Sequence, residues 1–306
     1  MRELLHETAD LAADFLEGLP ERPVFPDVEA DELRARLGGP LPETPTDPRE
    51  VVRELAAAGD AGAVAIPSGR YFGFVIGGAL PAALATDWLT STWDQNAGLY
   101  VGGPAASVAE EVAGKWLTEL LGLPRGVSFA FVTGTQMAHA TALAAARNHV
   151  LAEVGWDVER QGLAGAPTIR VLAGEKVHST LPRALRLVGL GTGSVVPVAA
   201  DGQGRMQASA LRQTLATGAG PTVVCAQAGE VNTGSFDPFE EIADATRQAG
   251  AWLHVDGAFG LWAAASPRFA YLTAGAEHAD SWATDGHKFL NTPYDSGIVL
   301  VAKSSA

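Results

Sequence analysis

The residues best suited to chemistry sit in the stretch from His254 to Gly297, which opens HVDGAFG and closes DGHKFLNTPYDSG. Asp256 ends one apolar run, and His287–Lys288 follows the next. A lysine amine can hold a carbonyl as a Schiff base, and an aspartate at a strand end can grip a protonated ring nitrogen. Taken alone, each reads as readily as a strand-end acid or a surface lysine. Together they suit pyridoxal phosphate, which is held as a Lys Schiff base with an Asp facing the pyridinium nitrogen.

Upstream segments offer partners. The turn TGTQMAH (133–139) follows an apolar run and opens a helix. Its Gly134, Thr135 and Gln136 present free N–H groups, side-chain donors and a helix dipole to a phosphate, although a plain capping turn has the same composition. His178 in VHSTLPRA falls between a strand and a helix, where an imidazole can stack on a planar ring or cap the loop. In AGEVNTGSFDP, Asn232, Thr233 and Ser235 can reach a ligand or make turns. GLGTGS (189–194) imitates half of a dinucleotide fingerprint, but it follows a helix and opens none, so it reads as a turn into a strand.

These residues need elements to position them. Short apolar runs at 128–132, 168–173, 194–198, 222–227, 252–256, 280–284 and 297–302 read as strands. Helical periodicity fills most of the gaps between them, at 137–150, 180–188, 207–217 and 238–249. The expected fold class is α/β, with a seven-stranded, mainly parallel sheet and helices on both faces. The last connection is too short for a crossover helix, so the final strand is expected antiparallel. Helices are also expected near 80–93 and 104–121. Residues 1–68 read as a helical N-terminal arm, with helices at 2–18 and about 48–58 joined by proline-rich extended chain; residues 69–306 read as the large domain. The phosphate turn, His178, Asp256 and Lys288 all then fall at strand C-terminal ends, on the edge where open α/β sheets bind ligands.

Composition narrows the class. Of 306 residues, 47% are hydrophobic, and the formal net charge is −14. That charge argues against a nucleic-acid surface and a polybasic membrane anchor. No apolar run reaches the ~18 residues needed to span a bilayer, and the acid-studded N-terminus does not read as a signal peptide. The single cysteine, Cys225, gives neither a disulfide framework nor a Cys-based metal site, which fits a reducing cytoplasm.

The motifs HVDGAFG, DGHKFLNTPYDSG, VHSTLPRA, AGEVNTGSFDP and WLTELLGLP together resemble the pyridoxal-phosphate-dependent amino-acid decarboxylases of group II, which have the aspartate-aminotransferase fold. The resemblance implies that Lys288 carries the cofactor as a Schiff base and that His287, Thr135, Gln136 and the Gly134 turn hold its phosphate. It implies that Asp256 pairs with the ring nitrogen, Ala258 lies against the ring and His178 stacks on its other face. The implied reaction converts an L-amino acid to an amine and CO2, in a homodimer. Another lyase reaction on the same cofactor, such as aldol or carbon–sulfur cleavage, is the alternative, as is an inactive cofactor-binding member. Four positions depart from the family pattern: Glu230–Val231 stands for paired threonines, DGHK for NPHK, Gly257 for alanine and His139 for asparagine. The family continues into a C-terminal small domain, which is expected to be absent here. The aromatic group Tyr71, Phe72, Phe74, Trp88, Trp93 and Tyr100 reads as core packing or subunit contact rather than a side-chain pocket.

Overall fold

The structure, a computed structural model, describes residues 1–302. The chain divides into two units, Met1–Gly78 and Ala79–Ala306.

The first unit holds helices α1 (Arg2–Gly18), α2 (Ala30–Leu37) and α3 (Pro48–Gly62). Helix α3 starts where Asp-Pro directs it. The Asp47 carboxylate accepts the Arg49 N–H at 2.8 Å, and Pro48 takes the first turn, where a missing N–H costs nothing. Arg49 and Arg53 of α3 pair with Glu3 and Glu7 of α1. Helix α2 departs from the expected extended chain. Half of its eight residues are charged and it lies between prolines, so its apolar signal is short, yet Asp31–Arg34 and Glu32–Arg36 pair at helical spacing. Leu5, Leu16, Val51 and Leu55 remain exposed.

The second unit runs α4 (Pro81–Trp93), α5 (Pro104–Leu120), β1 (Ser128–Val132), α6 (Thr135–Ala152), α7 (Val158–Gln161), β2 (Arg170–Gly174), α8 (Thr180–Leu187), β3 (Val195–Val198), α9 (Ala208–Ala216), β4 (Thr222–Gln227), α10 (Phe239–Gln248), β5 (Trp252–Asp256), β6 (Ser281–Asp285) and β7 (Gly297–Val301). The strands form one seven-stranded sheet in the order β1-β7-β6-β5-β4-β2-β3. Strand β7 is antiparallel to both neighbours, as its short connection requires, and the other pairings are parallel. Short 3-10 turns rather than a long helix link β5 to β6. GLGTGS forms a turn into β3, with Gly189 and Gly191 at positive φ.

Alternation along the strands builds two cores. On one face Val171, Val223, Cys225 and Trp252 pack with Leu143 of α6 and Leu185 of α8. On the other, Val224, Ala226 and Leu253 pack with Leu211 of α9 and Ile242 of α10. Helix α6 lies close to the sheet because small residues face it: Ala138 and Ala142 meet Ala283 and Val299. At its start Gly134 touches Gly297, where an added Cβ would fall 2.4 Å from the Gly134 Cα. Two glycines therefore let the helix N-terminus reach the sheet edge.

Candidate active site

Strand register assembles one edge of the sheet. Val132, Gly297 and Asp285 stand in a row across β1, β7 and β6, and Gln227 of β4 stands beside Asp256 of β5. The loops after β1, β2, β4, β5 and β6 all leave the sheet on that side. Residues from segments 150 positions apart thereby become neighbours: the backbone N–H of Thr135 donates to Asp285 Oδ1 at 2.6 Å.

Asp285 is the junction of the site. It is buried; its Oδ2 lies 3.2 Å from Lys288 Nζ, and its Oδ1 lies 3.6 Å from His287 Nε2. Trp262 Nε1 donates to its carbonyl at 3.1 Å and fixes the strand end. The Lys288 side chain is one-fifth exposed, with Nζ 5.8 Å from the centre of the Phe259 ring. The His287 ring stacks on Tyr294 and accepts the Ser296 N–H at Nδ1, which puts the proton of the neutral ring on Nε2, towards Asp285. Burial, with Lys288 close by, lowers the His287 pKa although Asp285 opposes the shift.

Asp256 occupies the end of β5. Burial works against its charge, yet His139 beside it and the Ala258 N–H, 3.1 Å from Oδ1, hold the carboxyl well below its ordinary range. His139 Nε2 lies 3.3 Å from Asp256 Oδ2. A fixed, ionised carboxylate at a strand end is what a positively charged ring nitrogen requires.

His178 is exposed on the loop after β2. Its N–H donates to Gln227 Oε1 at 3.1 Å, and Gln227 Nε2 donates to Lys176 O at 3.3 Å. One amide beside Asp256 thus holds the His178 loop from two points. Asn232, Thr233 and Ser235 are used within their own loop. Asn232 and Thr233 bond the Glu230 carboxylate, and Thr233 and Ser235 hydroxyls each donate to Gln203 O at 2.7 Å.

Sequence reasoning had no local signal for Asp285 and Gln227 as binding partners, because strand register alone brings their partners to them. A polar residue inside a fully buried strand, such as His254, is a readable sign that a buried partner exists.

The polar groups around the α6 N-terminus indicate what the edge could hold. Thr135 Oγ1, Gln136 Nε2 and Thr292 Oγ1 are buried and have no hydrogen-bond partner among the described residues. Unfilled donors at a helix N-terminus, near a lysine amine, form a seat for an anion. A family model for the pyridoxal-dependent decarboxylase conserved domain matches residues 60–306. The chain belongs to this decarboxylase family. It is 30% identical over 308 residues to an aromatic-L-amino-acid decarboxylase of Bacillus atrophaeus, covering 99% of this chain and 62% of that one. It is 30% identical over 323 residues to tryptophan decarboxylase 1 of Oryza sativa subsp. japonica, covering 98% and 61%. The crystal structure of mouse CSAD matches with a TM-score of 0.90 at 27% identity, over 99% of this chain and 64% of that one. Oryza sativa TDC, solved with PLP and tryptamine, matches with a TM-score of 0.89 at 26% identity, over 98% and 63%. The chain spans less than two-thirds of the length of each of these proteins.

The residues present fit the family's cofactor. The unfilled donors suit a phosphate, Lys288 suits a carbonyl carbon, and Asp256 suits a ring nitrogen. Asp285 adds a second anion at the phosphate end, in the DGHK motif that departs from the family pattern. Among the described residues no helix is long and apolar enough to cross a membrane.

Proposed function

We propose that this chain binds pyridoxal 5'-phosphate through Lys288 and carries the cofactor half of an L-amino-acid carboxy-lyase, with an aromatic amino acid as the leading substrate class. The observation that carries the reading is a single sheet edge where ionised Asp256, the Lys288 amine and the donor-rich α6 N-terminus converge. The substrate class rests on relatives named for aromatic amino acids, tryptophan and tyrosine.

When bound, the cofactor supplies an electron sink for the pair left behind as the α-carboxylate departs as CO2. The chain's own residues do the rest. Asp256 keeps a negative charge against the ring nitrogen, and its burial strengthens that pairing. Thr135, Gln136, Gly134 and His287 hold the phosphate at the α6 N-terminus. Ala258 and His178 flank the ring, with His178 kept in place by Gln227. Lys288 Nζ, held by Asp285, delivers the proton that replaces the departing carboxylate at the reacting carbon.

The assembly we propose is a homodimer in the cytoplasm. Trp88, Trp93, Tyr100, Val101 and Trp116 are exposed apolar side chains on α4, α5 and the turn between them, which a second subunit would cover. A buried free Cys225 is compatible with a reducing compartment.

Trapping CO2 from a panel of L-amino acids, together with the family cofactor, tests the reaction. Release from aromatic members is expected. Release of aldehyde or sulfide instead assigns another lyase reaction, and binding without turnover assigns an inactive member. Sedimentation tests the dimer, and a monomer contradicts it.

A further inference from the structure

A file of polar side chains in the buried interior leads to Asp256. It is hydrogen-bonded from Trp252 to His139 and closed by the approach of His139 Nε2, a buried nitrogen without another partner among the described residues, to the carboxylate. Trp252 Nε1 lies 2.9 Å from Ser281 Oγ, and Ser281 Oγ lies 2.9 Å from His254 Nδ1. His254 Nε2 lies 2.8 Å from His139 Nδ1, and His139 Nε2 lies 3.3 Å from Asp256 Oδ2. Both histidines and Ser281 are 0% exposed, and the rings meet edge to face.

The direction of the file follows from its carboxylate end. Ionised Asp256 only accepts, so a neutral His139 ring carries its proton on Nε2, facing Asp256, and accepts at Nδ1. His254 then carries its proton on Nε2 and gives it to His139 Nδ1. Its Nδ1 accepts the Ser281 hydroxyl proton, while Ser281 Oγ accepts the Trp252 N–H. Every donor in the file points towards the carboxylate. Burial, with His139 beside it, pushes the His254 pKa down to about 3, in keeping with a neutral ring at that position.

We propose that Trp252, Ser281, His254 and His139 form a positioning file that fixes the orientation of Asp256 and keeps it ionised, with His139 as the residue that acts on it directly. His139 stands where the family commonly has asparagine, so this chain reaches the Asp through a longer, ring-based donor. The proposal rests on the reading of Asp256 as the partner of a cofactor ring nitrogen.

Two measurements test it, and their failures are separable. Nitrogen-15 NMR of the ligand-free chain at pH 7 reports the histidine tautomers. Protons on Nε2 of both His139 and His254 are expected, with the His254 proton moving to Nδ1 in Ser281→Ala. A proton on Nδ1 of His139, facing His254, overturns the file. Spectrophotometric titration with pyridoxal phosphate reports its consequence. His139→Gln retains a donor at the Nε2 position and is expected to bind within about threefold of wild type. His139→Leu is expected to bind about tenfold or more weakly, the scale of losing a hydrogen bond to a charged group. Equal affinity in His139→Leu and wild type overturns the proposal. Wild-type chain that binds no pyridoxal phosphate overturns the cofactor reading, and with it the file's role towards that cofactor.

Discussion

Asp285 Oδ1 accepts the backbone N–H of Thr135 at 2.6 Å, joining the end of β6 to the start of α6 across 150 residues of chain. Its other oxygen holds Lys288 Nζ at 3.2 Å. One carboxylate thus anchors the amine and takes up donor capacity at the helix N-terminus. An incoming phosphate has to share that terminus with it, at a cost in like-charge repulsion.

Asp285→Asn is expected to tighten pyridoxal phosphate binding by several-fold, because an amide oxygen still accepts the Thr135 N–H while the competing charge is gone. Asp285→Ala leaves that buried N–H unpaired and is expected to cost about 1–3 kcal/mol in urea denaturation. Equal effects of the two substitutions in both measurements would contradict this account.

Gly297→Ala places a methyl 2.4 Å from the Gly134 Cα. Two backbones cannot give way as a flexible side chain can, so a loss of about 1–3 kcal/mol is expected in thermal or urea unfolding. Cofactor affinity is expected to fall with it, since the same contact sets the α6 N-terminus on the sheet edge. A stable variant with unchanged affinity would show that the close approach does not matter.

Two buried groups give stability opposing pH dependences. His254, at about 3 in the folded chain, lies below the ordinary histidine value of 6.5, so the folded state binds fewer protons. Stability from this group is therefore lost as pH falls from about 6.5 towards 3, by at most ~1.4 kcal/mol per pH unit. Asp237 is pushed up to about 6 by burial, against hydrogen bonds from Gln227 and Met206. The folded state binds more protons there, so its contribution favours folding as pH falls from about 6 to 4. His254→Gln removes the first effect alone. Its urea midpoint, relative to wild type, is expected to improve steadily from pH 7 to pH 4, and a constant offset would contradict the assignment.

The Cys225 thiol is fully buried, and burial with Asp256 nearby raises its pKa far above the ordinary range. It is expected to be inert to a thiol reagent at pH 8 in the folded chain and to react at once in urea. Rapid modification without denaturant would mean that the centre of the sheet opens readily.

The strands were most legible where both faces are buried. TVVCAQ and WLHVD are uninterrupted runs, and β4 and β5 begin and end where those runs do. Helix α2 was hidden because it is only eight residues long and half of them are charged, so Ala30, Leu33 and Leu37 give too short an apolar period to read. Among the edge residues, Asp256 ends a strand, Thr135 opens a helix, and His287 and Lys288 lie two and three residues past the end of β6, so each was legible from its place beside an apolar run. What joins them was not. Asp285 meets Thr135, and His139 meets His254, only after β5, β6 and α6 have packed, and no short window of sequence contains both members of either pair.

The central claim is that Lys288 holds pyridoxal phosphate at this edge. Its most direct test is the absorption spectrum of the cofactor-saturated chain, with borohydride reduction and mapping of the modified residue. The account predicts a Schiff-base band that reduction fixes onto Lys288 and that Lys288→Ala abolishes. A saturated chain with no band, or a band that survives in Lys288→Ala, would contradict it.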